Sequence, residues 1–184
     1  GESTVTQRDA STGYLLMRLR GHTGIVNAVA CRPDGRVLAS ASDDRSVRVW
    51  DSSTGETLAT LAHDGPVTAL AFDPAGRLLA TAGDDGAVQL FDAVSLLHAG
   101  TLAGHVGRVD ALAFDAAGEV LLSAGADGDA HLWDVYAGRA RVTVSAGTEI
   151  LDAALAADGS RLVLACADGV LRLVDADDGR SVAQ

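Results

Sequence analysis

The chain has 184 residues, 48% of them hydrophobic and 4% aromatic, which is enough for one domain with a real core. Its net charge of −11 at pH 7 weighs against nucleic acid or an anionic membrane as the main partner. Apolar runs such as ALAF at 111–114 fall far short of the roughly 18 residues a membrane helix needs, and GESTVTQRD lacks the basic and apolar regions of a secretory signal, so a cytoplasmic chain is expected.

In chain order, the opening stretch reads as two strands, STVTQRD and YLLMRL, joined by a turn. A longer unit starts near residue 21. IVNAVAC is a short apolar strand, and RPDGR is a turn in which Pro33 presets φ and Gly35 can take a positive φ. RVLASAS is a second strand, Asp43-Asp44 a tight turn, SVRVWD a third strand, SSTGE another turn and TLATL a fourth strand. No useful length shows a 3.6-residue period, so the unit is predicted to be a four-stranded antiparallel sheet. One such sheet is too small to stand alone and is apolar on both faces, so it must stack on neighbours.

The neighbours are copies of it. SASDDRSVRVWD (40–51) returns as TAGDDGAVQLFD (81–92), SAGADGDAHLWD (123–134) and LACADGVLRLVD (164–175). The steps Asp51 to Asp92, Asp92 to Asp134 and Asp134 to Asp175 are 41, 42 and 41 residues, and a cruder copy closes at Asp9, 42 residues before Asp51. Constant spacing marks one supersecondary unit stacked on itself. The chain therefore reads as a single array, 1–184, with a half unit at 1–20 and full units at 21–61, 62–102, 103–144 and 145–184.

Alignment of the copies sets further expectations. Cys31 stands where Phe72 and Phe114 stand and reads as a small core filler, while Cys166 matches Ser42 and Gly83 at a strand end. His98 falls on an outermost strand and His131 aligns with Arg48 and Gln89, so both are expected to be solvated. Asp9, Asp51, Asp134 and Asp175 are each followed four residues later by a glycine, as suits an Asx-type turn; after Asp92 the place is taken by Leu96, so a different turn shape is expected there.

With GH at 21–22 and 104–105 and WD at 50–51 and 133–134, all in phase with the repeat, the sequence resembles the WD-repeat β-propeller family. The resemblance covers nearly the whole chain. It implies an all-β fold, a β-propeller segment of about four and a half blades, each a four-stranded antiparallel sheet. It also implies a structural tetrad of His, Ser or Thr, Asp and Trp in each blade. By position these are His22, Ser40, Asp44 and Trp50 in the first full blade, and His105, Ser123, Asp127 and Trp133 in the third. The second has His63, Thr81 and Asp85 but Phe91 for Trp. The fourth keeps only Asp168, with Leu164 and Val174 at the Ser and Trp positions, so apolar packing and a more mobile turn are expected.

Partners of this family dock on the rim formed by the loop after each GH and the residue before the turn aspartate. Carried over, these are Ile25, Asn27 and Asp43, then Pro66, Thr68 and Asp84, then Arg108, Asp110 and Ala126. Several acids and one arginine suit a basic peptide or protein. The resemblance thus implies a non-catalytic scaffold or sensor binding other proteins, with no cofactor. The alternative is a regulatory domain of a larger bacterial-type signalling ATPase, kinase or protease, and a propeller enzyme is more distant. Repeated acids such as Asp43-Asp44 point around a ring and do not converge, and the histidines lie one per blade, so neither acid–base nor metal chemistry is expected. Because propellers close with four to eight blades, the ring is expected to be completed by further blades of a longer polypeptide or by self-association.

Overall fold

The computed structural model describes residues 3–183. A hairpin comes first, β1 (Thr4–Arg8) with β2 (Leu15–Arg20). Four sheets follow, each an antiparallel meander of strands in chain order. The first blade is β3 (Val26–Cys31), β4 (Val37–Ser42), β5 (Ser46–Asp51) and β6 (Thr57–Ala62). The second is β7 (Val67–Phe72), β8 (Leu78–Gly83), β9 (Val88–Asp92) and β10 (His98–Leu102). The third is β11 (Val109–Phe114), β12 (Val120–Gly125), β13 (Asp129–Asp134) and β14 (Arg139–Ser145). The fourth is β15 (Ile150–Leu155), β16 (Arg161–Cys166), β17 (Leu171–Asp175) and β18 (Ser181–Ala183), with Gln184 of the last predicted strand outside the described residues. The fold is all-β, and the array is an open part of a propeller.

The alternation of side chains along each strand sends apolar residues to both faces, and the core lies in the seams between sheets. Val37, Ala39, Val47, Val49 and Leu61 of the first blade meet Val67, Leu79 and Phe91 of the second. Ala80, Val88, Leu90 and Leu102 meet Val109, Leu121 and Trp133 of the third. Leu122, Ala130, Leu132 and Val144 meet Ile150, Leu162, Leu164, Cys166 and Val174 of the fourth. The strand position that carries Trp50, Phe91, Trp133 and Val174 thus faces the preceding unit every time.

Three residues stand otherwise than their alignment in the repeat suggests. Cys31 is exposed. It sits on the face of β3 that looks toward the leading hairpin, which among the described residues has two strands and leaves that part of β3 uncovered. Leu96 does not change the turn after Asp92: its N–H donates to the Asp92 carbonyl at 2.9 Å, as Gly55 and Gly138 do to Asp51 and Asp134, and it reaches the same left-handed geometry at φ 59°. Its partly buried side chain packs against the first seam, a contact that offsets the cost of a conformation a leucine otherwise avoids. Arg45 likewise takes a positive φ, 65°, where the later blades have Gly86, Gly128 and Gly169. His131, finally, is 7% exposed and packs against Trp133, 5.0 Å between ring centroids, because β13 is an interior strand of its sheet whose side chains enter the seam. His98 is exposed, edge-on to Phe91.

Candidate functional site

Two sets of polar residues follow from the blade geometry, one inside the seams and one on the rim. In the first blade the indole Nε1–H of Trp50 donates to Ser40 Oγ at 2.9 Å. An indole can only donate, so the Ser40 hydroxyl accepts it and gives its own proton to His22 Nε2, 2.8 Å away. That fixes the imidazole proton on Nδ1, which donates to Asp44 Oδ2 at 2.8 Å. Burial pushes the Asp44 carboxyl up, but the Ser46 hydroxyl, the Thr23 amide and His22 together outweigh it and hold the group at about 2. The third blade repeats the chain: Trp133 Nε1 to Ser123 Oγ at 2.7 Å, Ser123 to His105 Nε2 at 2.8 Å, and His105 Nδ1 to Asp127 Oδ2 at 2.9 Å. Ser40, Ser123 and both histidines are buried, so a substrate has no approach to these hydroxyls.

The second blade departs further than its Phe91 suggests. His63 Nε2 meets Thr81 Oγ1 at 2.8 Å, but Nδ1 is turned to the Leu61 carbonyl at 3.3 Å, and Asp85 is exposed with its Oδ1 on the Ala87 amide. The structure therefore does not bring Asp85 to His63. The residue after the histidine is Thr23 in the first blade and Val106 in the third, and each gives its amide to the turn aspartate. Here it is Asp64, whose carboxylate beside that of Asp85 would be repulsive. Burial lowers the His63 pKa, with the Leu61 carbonyl and the two aspartates opposing.

In the fourth blade Leu164 and Val174 are buried, and the seam position of the tetrad is filled by hydrocarbon. Asp168 is not left as the free carboxylate of a loose turn: Arg172 binds it at 2.6 Å, and Gly169 supplies the positive φ that the turn needs.

On the rim, Asn27, Asp43, Pro66, Thr68, Asp84, Arg108 and Asp110 come together to line a basin of about 500 Å³. Ile25 and Ala126 are exposed beside it and do not line it. Asn27 Nδ2 donates to Asp43 Oδ1 at 2.7 Å and to the Val67 carbonyl of the next blade at 3.0 Å. The Thr68 hydroxyl likewise reaches the Val109 carbonyl of the third blade. Asp110 holds the equivalent position but has no proton to donate. There the next blade is reached instead by Arg108, bound to Asp110 Oδ1 at 2.7 Å and to Glu149 Oε1 at 2.9 Å. Asp110 raises the Arg108 pKa most, and Asp84 and Glu149 add to it. Among the residues that line the basin Arg108 is the one cation, and it is paired, so the remaining lining charge is acidic.

Glu149 and Ser46 were not among the residues singled out from the sequence. Glu149 stands 41 residues after Arg108, the repeat length, and that phase is the signal that finds it although SAGTEIL has no GH. Ser46 carries no such phase, since its counterparts are Ala87, Asp129 and Val170. Among the described residues, no group of three or more His, Cys, Asp or Glu side chains is placed to hold a metal, and no helix is long and apolar enough to cross a membrane.

Stacked four-stranded meanders with Trp–Ser–His–Asp chains in their seams define a β-propeller of the tetrad-bearing class. The family model "WD domain, G-beta repeat" matches residues 13–51, 55–92 and 98–134, well over half of the chain, and the chain belongs to that family. The fourth sheet, which has lost three tetrad residues, lies outside the matched stretches. Nuclear distribution protein PAC1 of Arthroderma benhamiae is 49% identical over 55 residues, 29% of this chain and 12% of that protein. Ribosome assembly protein 4 of Saccharomyces cerevisiae is 38% identical over 68 residues, 32% of this chain and 13% of that protein. The solved structure of U3-55K superposes with a TM-score of 0.83 at 24% identity, over 89% of this chain and 53% of that one. The chain spans about an eighth of the length of these curated relatives and about half of U3-55K.

Proposed function

We propose that this chain is a non-catalytic scaffold that binds a basic segment of another protein in the rim basin. One observation carries the reading: seven rim residues from three repeat positions converge on one basin, and two of those positions carry a different residue in each of the first three blades, whereas the seam positions of the first and third blades repeat the same four residues. The first three blades pack alike although these positions differ, which leaves the positions open to serve a partner. Asp43, Asp84, Asp110 and Glu149 surround one already paired arginine, which favours lysine and arginine over phosphate as ligand groups. In the same proposal 1–184 acts as one unit of the cytoplasm, its ring completed by further blades or by a second copy, and neither nucleic acid nor a membrane is the partner.

The test is fluorescence anisotropy with a labelled arginine- and lysine-rich peptide, a glutamate-rich peptide of equal length, and a single-stranded RNA. The basic peptide is expected to bind, to weaken with salt, and to lose binding when Asp43→Arg, Asp84→Arg and Asp110→Arg are combined in a chain with unchanged circular dichroism. Binding that survives the triple substitution, or tighter binding of the RNA, would overturn the proposal.

A further inference from the structure

The third blade contains a side-chain cluster that neither its tetrad nor the rim employs. His131 lies on β13 between Ser123 of β12 and Thr143 of β14, in the seam with the second blade. Its ring is edge-on to His105, with centroids 4.4 Å apart. Nδ1 is 2.8 Å from Thr143 Oγ1, whereas Nε2 is buried and has no hydrogen-bond partner. Gly104 closes over the group: a Cβ there would come within 2.8 Å of the Trp133 ring and 3.4 Å of His131 Nε2.

The same position holds Arg48, Gln89 and Arg172 in the other blades. Arg48 is long enough to lay its guanidinium against Gly21 and over Trp50, 5.9 Å from the ring, and Arg172 pairs with Asp168. An imidazole is shorter, so a charge acquired by His131 stays in the seam. In the imidazolium both ring nitrogens donate, and nothing accepts from Nε2. The titratable groups that face the ring are His105 from the β10–β11 loop, Asp127 from the β12–β13 turn and Asp129 from β13 itself. Asp127 is engaged by His105 and by the amides of Val106 and Asp129, and Asp129 accepts the Ser145 hydroxyl, so neither carboxylate is free to turn to His131.

We infer that His131 is a pH-sensitive latch on the seam between the second and third blades, and that taking up a proton breaks its packing with His105 and Trp133 and loosens the third blade. Burial and the field of His105 lower the His131 pKa, and the two aspartates only partly oppose them. The unfolded imidazole binds its proton near a pKa of about 6.5, so the unfolded chain takes up the proton first as pH falls. The contribution of neutral His131 is therefore complete above about pH 7 and is lost as pH falls below about 6.5 and through the lower folded value. Arg108 and Asp110 stand only a few residues beyond His105, so the latch also ties the rim to pH; that tie, unlike the latch, rests on the proposed binding function.

Urea unfolding of the chain and of His131→Gln at about pH 7.5 and about pH 5 tests the latch. Gln89 occupies this position in the second blade, so glutamine fits the site. On acidification the folding constant of the unsubstituted chain is expected to fall further than that of His131→Gln, by about tenfold for each unit of pKa depression. An equal fall in the two proteins overturns the latch. Should the variant not fold, an NMR titration of the unsubstituted chain decides, with the His131 resonance identified by its proximity to Trp133. A His131 midpoint below about 6.5 supports the latch, and one at or above it refutes it.

Discussion

The third and fourth blades pack on each other across one seam, yet the third anchors its first strands with Trp133, Ser123, His105 and Asp127, and the fourth puts Leu164 and Val174 in the same places. Both sheets have the same strand order and register. The difference shows that the polar network is one of two solutions to filling the seam. A complete network satisfies every buried donor and acceptor, and a hydrocarbon filling has none to satisfy. The second blade stands between them with His63 and Thr81 still joined but no indole and no engaged Asp85, which is the arrangement expected to be least favourable.

The most direct way to break the contrast is to remove the central hydroxyl. Ser123→Ala leaves both the Trp133 N–H and His105 Nε2 without a partner, and urea unfolding is expected to show a loss of about 3 kcal/mol. Trp133→Phe places the ring of Phe91 in the third blade and is expected to lose about 1–3 kcal/mol. The reverse change, Phe91→Trp, gives Thr81 a donor and is expected to raise the urea midpoint, provided the first seam accepts the larger ring. Acid sharpens the comparison differently. The Asp44 carboxyl is held at about 2 in the folded chain, against about 3.9 unfolded, so its contribution is present above about pH 4 and is lost as pH falls toward 2. Asp44→Asn is expected to flatten that part of the stability profile. The smallest effect belongs to a turn: Arg45 is exposed at φ 65°, and Arg45→Gly is expected to stabilise by about 0.5–1 kcal/mol, measured as a shift in thermal midpoint.

Much of this was legible in the sequence because the repeat gives four readings of each position. The closing aspartates fix the phase, and the strands, the seam positions and seven of the nine rim residues then fall where the spacing puts them. What the spacing does not encode is the influence of one neighbour on another. Asp85 keeps its place in the repeat yet does not engage His63, and Asp168 pairs with Arg172 where the turn aspartates of the first and third blades hold a histidine. Leu96 makes a glycine-type turn with its side chain packed against a seam. Cys31 is open because of what stands opposite it, and His131 is buried where a longer arginine had suggested solvent. Each depends on a contact across elements, which periodicity does not specify.

The central claim is that the seam residues of the third blade act as one connected network. A double-mutant cycle of Ser123→Ala and Trp133→Phe, read by urea unfolding, tests it most directly. If the two groups depend on each other, the paired variant loses less stability than the two single losses added together, by about 1 kcal/mol or more. Single losses that simply add would contradict the network.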